Sequence, residues 1–168
     1  MRWIVHHRWH PLDEPFVWLS RIGTWGAVWL VLGLLLAAAL RRPRLFLLVA
    51  LADGAADGVA SLLQWATGVR RPPLRYAQPA PLVHVPHGGS FPSGHTTISF
   101  ACATVLAAAV PRAAPFLYLL ALAIGFSRVY VGVHWPLDVV GGMAVGTATA
   151  LLLLAGARRL SARLPRRG

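Results

Sequence analysis

The chain has 168 residues, of which 57% are hydrophobic and only 12% charged. That is roughly half the charged share of a soluble domain, and it excludes intrinsic disorder, collagen-like repeats and coiled coils. Sixteen basic residues, all Arg, against five acidic ones give a net charge of +11. Nucleic-acid binding would need that excess as a stripe on a soluble fold. Here the arginines fall in short clusters between long apolar runs, as in a membrane protein, and no nucleic-acid partner is expected. The single cysteine, Cys102, lies in an apolar run and reads as an inert buried thiol, with no internal disulfide or multi-Cys zinc site available to it.

In chain order, residues 11–20 (PLDEPFVWLS) predict a short amphipathic helix in the membrane interface, with Asp13 and Glu14 at its start and Trp18 as an anchor. The N-terminus does not read as a signal peptide. Ala37, Ala38 and Ala39 resemble a cleavage site, but acidic residues precede the apolar run and an Arg cluster follows it. Five apolar stretches follow, at 22–40, 45–63, 93–110, 113–131 and 136–155. Each is long enough to cross a hydrocarbon core of about 30 Å as a helix. Helices satisfy their own backbone hydrogen bonds in lipid. The fold class is therefore all-α: a single membrane-embedded helical bundle over 1–168, with 156–168 as a basic cytoplasmic tail.

Asp53 and Asp57 interrupt the second stretch one turn apart. Ionised carboxylates are expensive in mid-span. They read as a neutral or hydrogen-bonded pair at a helix interface, helped by the small residues Gly54, Ala55, Ala56 and Gly58, in preference to a proton pathway. Counting arginines sets the orientation. Nine (Arg41, Arg42, Arg44, Arg112, Arg158, Arg159, Arg163, Arg166, Arg167) fall on one side and seven (Arg2, Arg8, Arg21, Arg70, Arg71, Arg75, Arg128) on the other. The positive-inside rule puts the nine in the cytoplasm, the N-terminus outside and the C-terminus inside, for a multi-pass protein of the inner (plasma) membrane.

With that threading, three polar segments share the outer face: Gln64 to Pro72 (QWATGVRRP), Phe91 to His95 (FPSGH) and Ser127 to Asp138 (SRVYVGVHWPLD). Ser93 and Gly94 open a helix, where free N–H groups and the dipole favour an anion; alone, Ser93 would read as a cap. Gly94 lets a ligand oxygen approach the backbone closely. Arg71 and Arg128 have the fork geometry for phosphate oxygens, or singly could snorkel. His134 and Asp138, four residues apart, can share a helix face and hydrogen-bond. A carboxylate on one imidazole nitrogen fixes the tautomer and leaves the other as a directed nucleophile or base. His84 and His87, in the 73–90 loop, read as loop residues and not ligands; the loop and the interfacial helix together could gate lipid access.

These segments resemble the three signature motifs of the type 2 phosphatidic acid phosphatase family, whose site is similar to that of vanadium haloperoxidases. Pro92-Ser93-Gly94-His95 matches the second motif, and Ser127, Arg128, His134 and Asp138 match the third. Arg71-Pro72 matches the end of the first, whose usual Lys is Gln64 here. The resemblance implies that His134 attacks phosphorus while Asp138 orients it, and that His95 serves as general acid and then base. It also implies that Arg71, Arg128, Ser93 and Gly94 hold the phosphoryl oxygens, with Gln64 and a neighbouring cation, Arg70 or Arg75, in the place of the missing Lys. No metal and no cofactor is called for. The expected function is hydrolysis of a lipid phosphate or pyrophosphate, undecaprenyl diphosphate first, with phosphatidylglycerophosphate or phosphatidate next. A vanadium haloperoxidase, or a degenerate member serving as transporter or scaffold, is the rival from another class. Partners are the bilayer and the lipid substrate.

Overall fold

Prolines and glycines mark where the helices begin and end. The computed structural model describes residues 1–76 and 78–163. Among them the helices are α1 (Arg2–His6), α2 (Asp13–Ile22), α3 (Ala27–Ala39), α4 (Pro43–Thr67), α5 (Gly94–Ala109), α6 (Ala114–Tyr130) and α7 (Pro136–Arg163), and no strand occurs. Pro43 and Pro136 stand at first helical positions, where the missing N–H costs nothing. Gly68 closes α4 with φ +58°, a left-handed end. Between α2 and α3 the backbone turns left-handed at Trp25 (φ 55°) and Gly26 (φ 63°), so the two helices meet at 62°.

The five expected stretches all lie on helices, but they are not equivalent. α4 and α7, and α6 together with the short turn Pro111–Ala113 that leads into it, are long and apolar enough to cross a membrane; α2 and α3 reach that standard only as a bent pair. α5 has 16 residues, about 24 Å of helix, and falls short of the core thickness. The reason is its position. α5 packs against α4, α6 and α7, and every residue from Thr96 to Leu106 is buried. A helix enclosed by protein need not match the lipid. Helix α7 continues beyond the expected end of the fifth stretch to Arg163; residues 164–168 of the expected tail, with Arg166 and Arg167, lie outside the described residues.

Small residues let α5 sit this deep. On α7, Gly142 and Gly146 face α5, and the fully buried Ala150 follows at the same spacing of four residues. A Cβ on Gly146 would overlap the Thr97 carbonyl, and one on Gly142 would lie 2.8 Å from the Thr96 Cβ. On the other side, Val49, Ala52, Ala56 and Ala60 form the buried stripe of α4. Trp29 of α3 is fully buried and donates its indole N–H to Ser99 Oγ at 3.0 Å. The expected Asp53–Asp57 interface pair divides: Asp53 is buried beside Gly26, whereas Asp57 is exposed, and added Cβ atoms on Gly54 and Gly58 would meet open space. The alanines, not these glycines, make the contact.

Candidate active site

At one end of the bundle, the C-terminal ends of α4 and α6 meet the N-terminal ends of α5 and α7. A cleft of about 530 Å³ opens there, with Gln64, Arg71, Gly94, His95, Arg128 and His134 on its walls. All three polar segments therefore contribute to a single cavity. Thr24 and Trp25 line it from the turn before α3, Asp57 and Ser61 from α4, and His84 and His87 from the long loop.

His134 precedes α7 and does not lie on its face. Gly132, with φ +88°, turns the chain so that the imidazole points back toward the helix start. Asp138 then occupies the third position of α7, and its Oδ2 accepts the Trp135 backbone N–H at 2.8 Å, half of a capping box. The same oxygen accepts the Ser90 hydroxyl and lies 3.3 Å from His134 Nδ1. The expected His–Asp pairing forms, through a cap and not along a helix face. On the other side of the ring, Arg71 Nη1 is 2.8 Å from His134 Nε2. A guanidinium can only donate, so Nε2 carries the lone pair and Nδ1 the proton, directed at Asp138. Burial holds the His134 pKa down at about 4; the Asp138 hydrogen bond opposes this shift, and the charges of Arg71 and Arg128 add to it. The imidazole is neutral at physiological pH.

Arg71 and Arg128 are each 3% exposed, and the Nε–H of each is buried without a hydrogen-bond partner. Their remaining contacts are sparse. Arg71 also reaches the Val133 carbonyl at 3.4 Å, and Arg128 donates to Ser20 Oγ. Orphaned donors on buried permanent cations are costly, and an oxyanion in the cleft would satisfy them. His95 Nε2 lies 3.2 Å from the Ser20 carbonyl and 3.4 Å from Thr24 Oγ1. Gln64 Nε2 donates to the Pro92 carbonyl at 2.8 Å and so ties α4 to the turn that opens α5.

Three expected residues stand elsewhere. Ser93 is fully buried, and its hydroxyl accepts a hydrogen bond from Thr96 Oγ1 at 3.1 Å; its backbone N–H donates to the Asp138 carbonyl at 2.9 Å. Arg70 is exposed and contributes its carbonyl to the Trp135 indole at 3.0 Å, while Arg75 is exposed beyond the turn at Pro72–Leu74. Neither arginine lines the cleft. Sequence reasoning missed Ser20, Thr24 and Ser90. Ser90 has a faint local signal, as the polar end of the Gly88-Gly89-Ser90 run before Phe91; Ser20 and Thr24 have none, since only the folding of α2 onto α6 brings them near.

Fold and site together define an α-helical membrane protein with a cleft at one end of its bundle that is lined by two buried arginines. The PAP2 superfamily model matches residues 27–161, and the chain belongs to this superfamily; with that membership it is a lipid phosphatase. The decaprenylphosphoryl-5-phosphoribose phosphatase of Mycobacterium tuberculosis is 37% identical over 149 residues, covering 86% of this chain and 81% of that protein. The undecaprenyl-diphosphatase of Sulfolobus acidocaldarius is 38% identical over 82 residues, 48% of this chain and 40% of that one. The crystal structure of a transmembrane PAP2 type phosphatidylglycerolphosphate phosphatase from Bacillus subtilis superposes with a TM-score of 0.75 at 25% identity, covering 99% of this chain and 85% of that one.

Proposed function

We propose that this chain hydrolyses a prenyl-lipid phosphate or diphosphate at the extracytoplasmic face of the plasma membrane through a phosphohistidine on His134. The observation that carries this reading is the pairing of a neutral, lone-pair-bearing Nε2 on His134 with two buried guanidinium groups that have N–H donors to spare. The Nε2 lone pair attacks phosphorus as Arg71 moves its hydrogen bond from the imidazole to a phosphoryl oxygen. The bond from phosphorus to the lipid oxygen breaks, and His95 gives that oxygen a proton. Asp138 stabilises the cationic ring that results. His95, now neutral, takes a proton from water; the hydroxyl attacks phosphorus, the N–P bond breaks, and inorganic phosphate leaves. Arg128, with Gln64 and the Gly94 N–H at the start of α5, joins Arg71 around the oxygens as charge develops.

Undecaprenyl diphosphate is the expectation from the sequence, and the near full-length similarity to a decaprenyl-linked phosphatase favours a prenyl tail over a glycerolipid. The test is phosphate release in detergent from prenyl diphosphate, prenylphosphoryl-5-phosphoribose, phosphatidylglycerophosphate and phosphatidate, with phosphoenzyme trapping. His134→Ala is expected to abolish turnover and the acid-labile phosphoenzyme, while His95→Ala retains the phosphoenzyme and turns over slowly. Substantial turnover by His134→Ala rejects the mechanism.

A further inference from the structure

At the end of the bundle away from the cleft, the turn between α3 and α4 carries Arg41, Arg42 and Arg44, all exposed. Arg41 stands in the left-handed region, at φ +53°. Its N–H donates to the Ala38 carbonyl at 3.1 Å, and that of Arg42 to the Ala37 carbonyl at 2.8 Å, the paired bonds that close a helix around a left-handed residue. Glycine is the usual occupant of that position, because a Cβ there crowds the backbone. An arginine costs stability at this point, and the helix end has no need of its side chain, since the two backbone bonds already close it. The side-chain ion pairs among the described residues are His10–Asp13 and His134–Asp138, so no carboxylate neutralises the three arginines. The first turn of α4, whose N-terminal dipole adds to their charge, has no acidic residue.

Two grooves meet at this turn, and Arg41 and Pro43 line both. One, of about 550 Å³, runs between α3 and α4 past Leu34, Ala38 and Leu47. The other, of about 440 Å³, passes Leu45 and Leu48 and reaches Ala109 at the end of α5. Leu34 lies seven residues before Arg41, about 10 Å along the helix toward the middle of the bundle. Each groove is apolar along its length and cationic at its mouth. An alkyl chain alone would fill the apolar part; the unpaired arginines call for an anion at the mouth the grooves share.

We propose that the α3–α4 turn binds an anionic diacyl phospholipid, with its phosphate against Arg41, Arg42 and Arg44 and one acyl chain in each groove. Charge complementarity selects the head group, and the pair of grooves selects two tails. The site lies at the opposite end of the molecule from the cleft and is independent of the proposed reaction.

Thermal melting of the purified protein in a neutral detergent, titrated with phosphatidylglycerol or with phosphatidylcholine of the same chains, provides the test. Phosphatidylglycerol should raise the melting temperature saturably, and phosphatidylcholine should not. Arg41→Gly should melt at or above the wild type without lipid, because glycine accepts the left-handed backbone, yet bind phosphatidylglycerol about fivefold more weakly, the worth of one arginine at an anionic membrane surface. Ala38→Phe, which fills one groove and leaves the charge unchanged, should weaken binding as well. Arg158→Gln removes a charge from α7 outside both grooves and should bind as the wild type does. Equal shifts with the two lipids overturn the proposal, as does undiminished phosphatidylglycerol binding by Arg41→Gly or by Ala38→Phe. A loss in Arg158→Gln equal to that in Arg41→Gly overturns it too, since diffuse attraction to a basic surface then accounts for the binding.

Discussion

At the residue scale, the proposed chemistry turns on one imidazole held neutral between a carboxylate and a guanidinium. His134 titrates at about 4, below its ordinary value of 6.5, because burial and two neighbouring cations outweigh Asp138. Between those values the unfolded chain binds a proton that the folded chain does not. Stability from this group is therefore complete above pH 6.5 and is lost as pH falls toward 4, by up to roughly 3 kcal/mol. Thermal melting in detergent between pH 4 and 7 should show the wild type losing more than His134→Asn, which has no such proton to bind. Parallel losses in the two proteins contradict the assignment. Gln64 supplies a prediction in the other direction. It lines the cleft and donates to the Pro92 carbonyl, a bond that a Lys ammonium can also make. Gln64→Lys restores the cation of the family motif and is expected to raise kcat/KM on a lipid phosphate several-fold; a fall would mean that the amide itself is required. The motif residues were legible in the sequence because their spacing is carried by local turns: Pro136 and Asp138 are a helix start whatever surrounds them. Ser90, which completes the Asp138 carboxylate, was not, because its partner lies 48 residues away and nothing local distinguishes it from a loop serine.

At the element scale, hydropathy placed the helices and said little about their ranks. The apolar runs at 45–63 and 113–131 became α4 and α6 with ends displaced by a few residues, since Pro43, Pro115 and Gly68 punctuate the chain there. That α5 is the enclosed helix was not legible: its composition of Thr, Ser, Ala and Cys resembles a weak span, and only the facing glycines of α7 explain it. This makes a contrast of two glycines. At Gly146 a methyl would press on the backbone of Thr97 and on Ala101 N, groups that cannot rotate away. At Gly58, nothing lies within 4 Å of an added Cβ. Gly146→Ala should cost about 1–3 kcal/mol and lower the melting temperature in detergent. Gly58→Ala should be neutral or stabilise by about 0.5–1 kcal/mol, because alanine loses less backbone freedom in a helix. Equal effects at the two positions would remove close α5–α7 packing as the reason for the stripe.

At the scale of the whole molecule, the same threading that brings the cleft residues to one end carries Arg41, Arg42 and Arg44 to the turn before α4, and Arg112 to the turn before α6, at the other. The arginine count of nine against seven is a thin margin by itself. It widens once Arg71 and Arg128 are set aside, since they are buried in the cleft and bear no charge toward either aqueous surface. In the sequence count that leaves nine arginines against five, and the positive-inside rule assigns the side with nine to the cytoplasm. Cysteine labelling tests this without altering the charge balance. Cys102, the only native thiol, is fully buried and will not react. Leu74, 65% exposed, lies at the cleft end, and Ser161 is exposed near the end of α7. In intact spheroplasts a membrane-impermeant maleimide should label Leu74→Cys and spare Ser161→Cys, which reacts only after the membrane is opened. The reverse pattern would turn the molecule over and put the phosphatase site in the cytoplasm. Labelling of both in intact spheroplasts would mean that the bundle does not carry the chain from one side of the bilayer to the other.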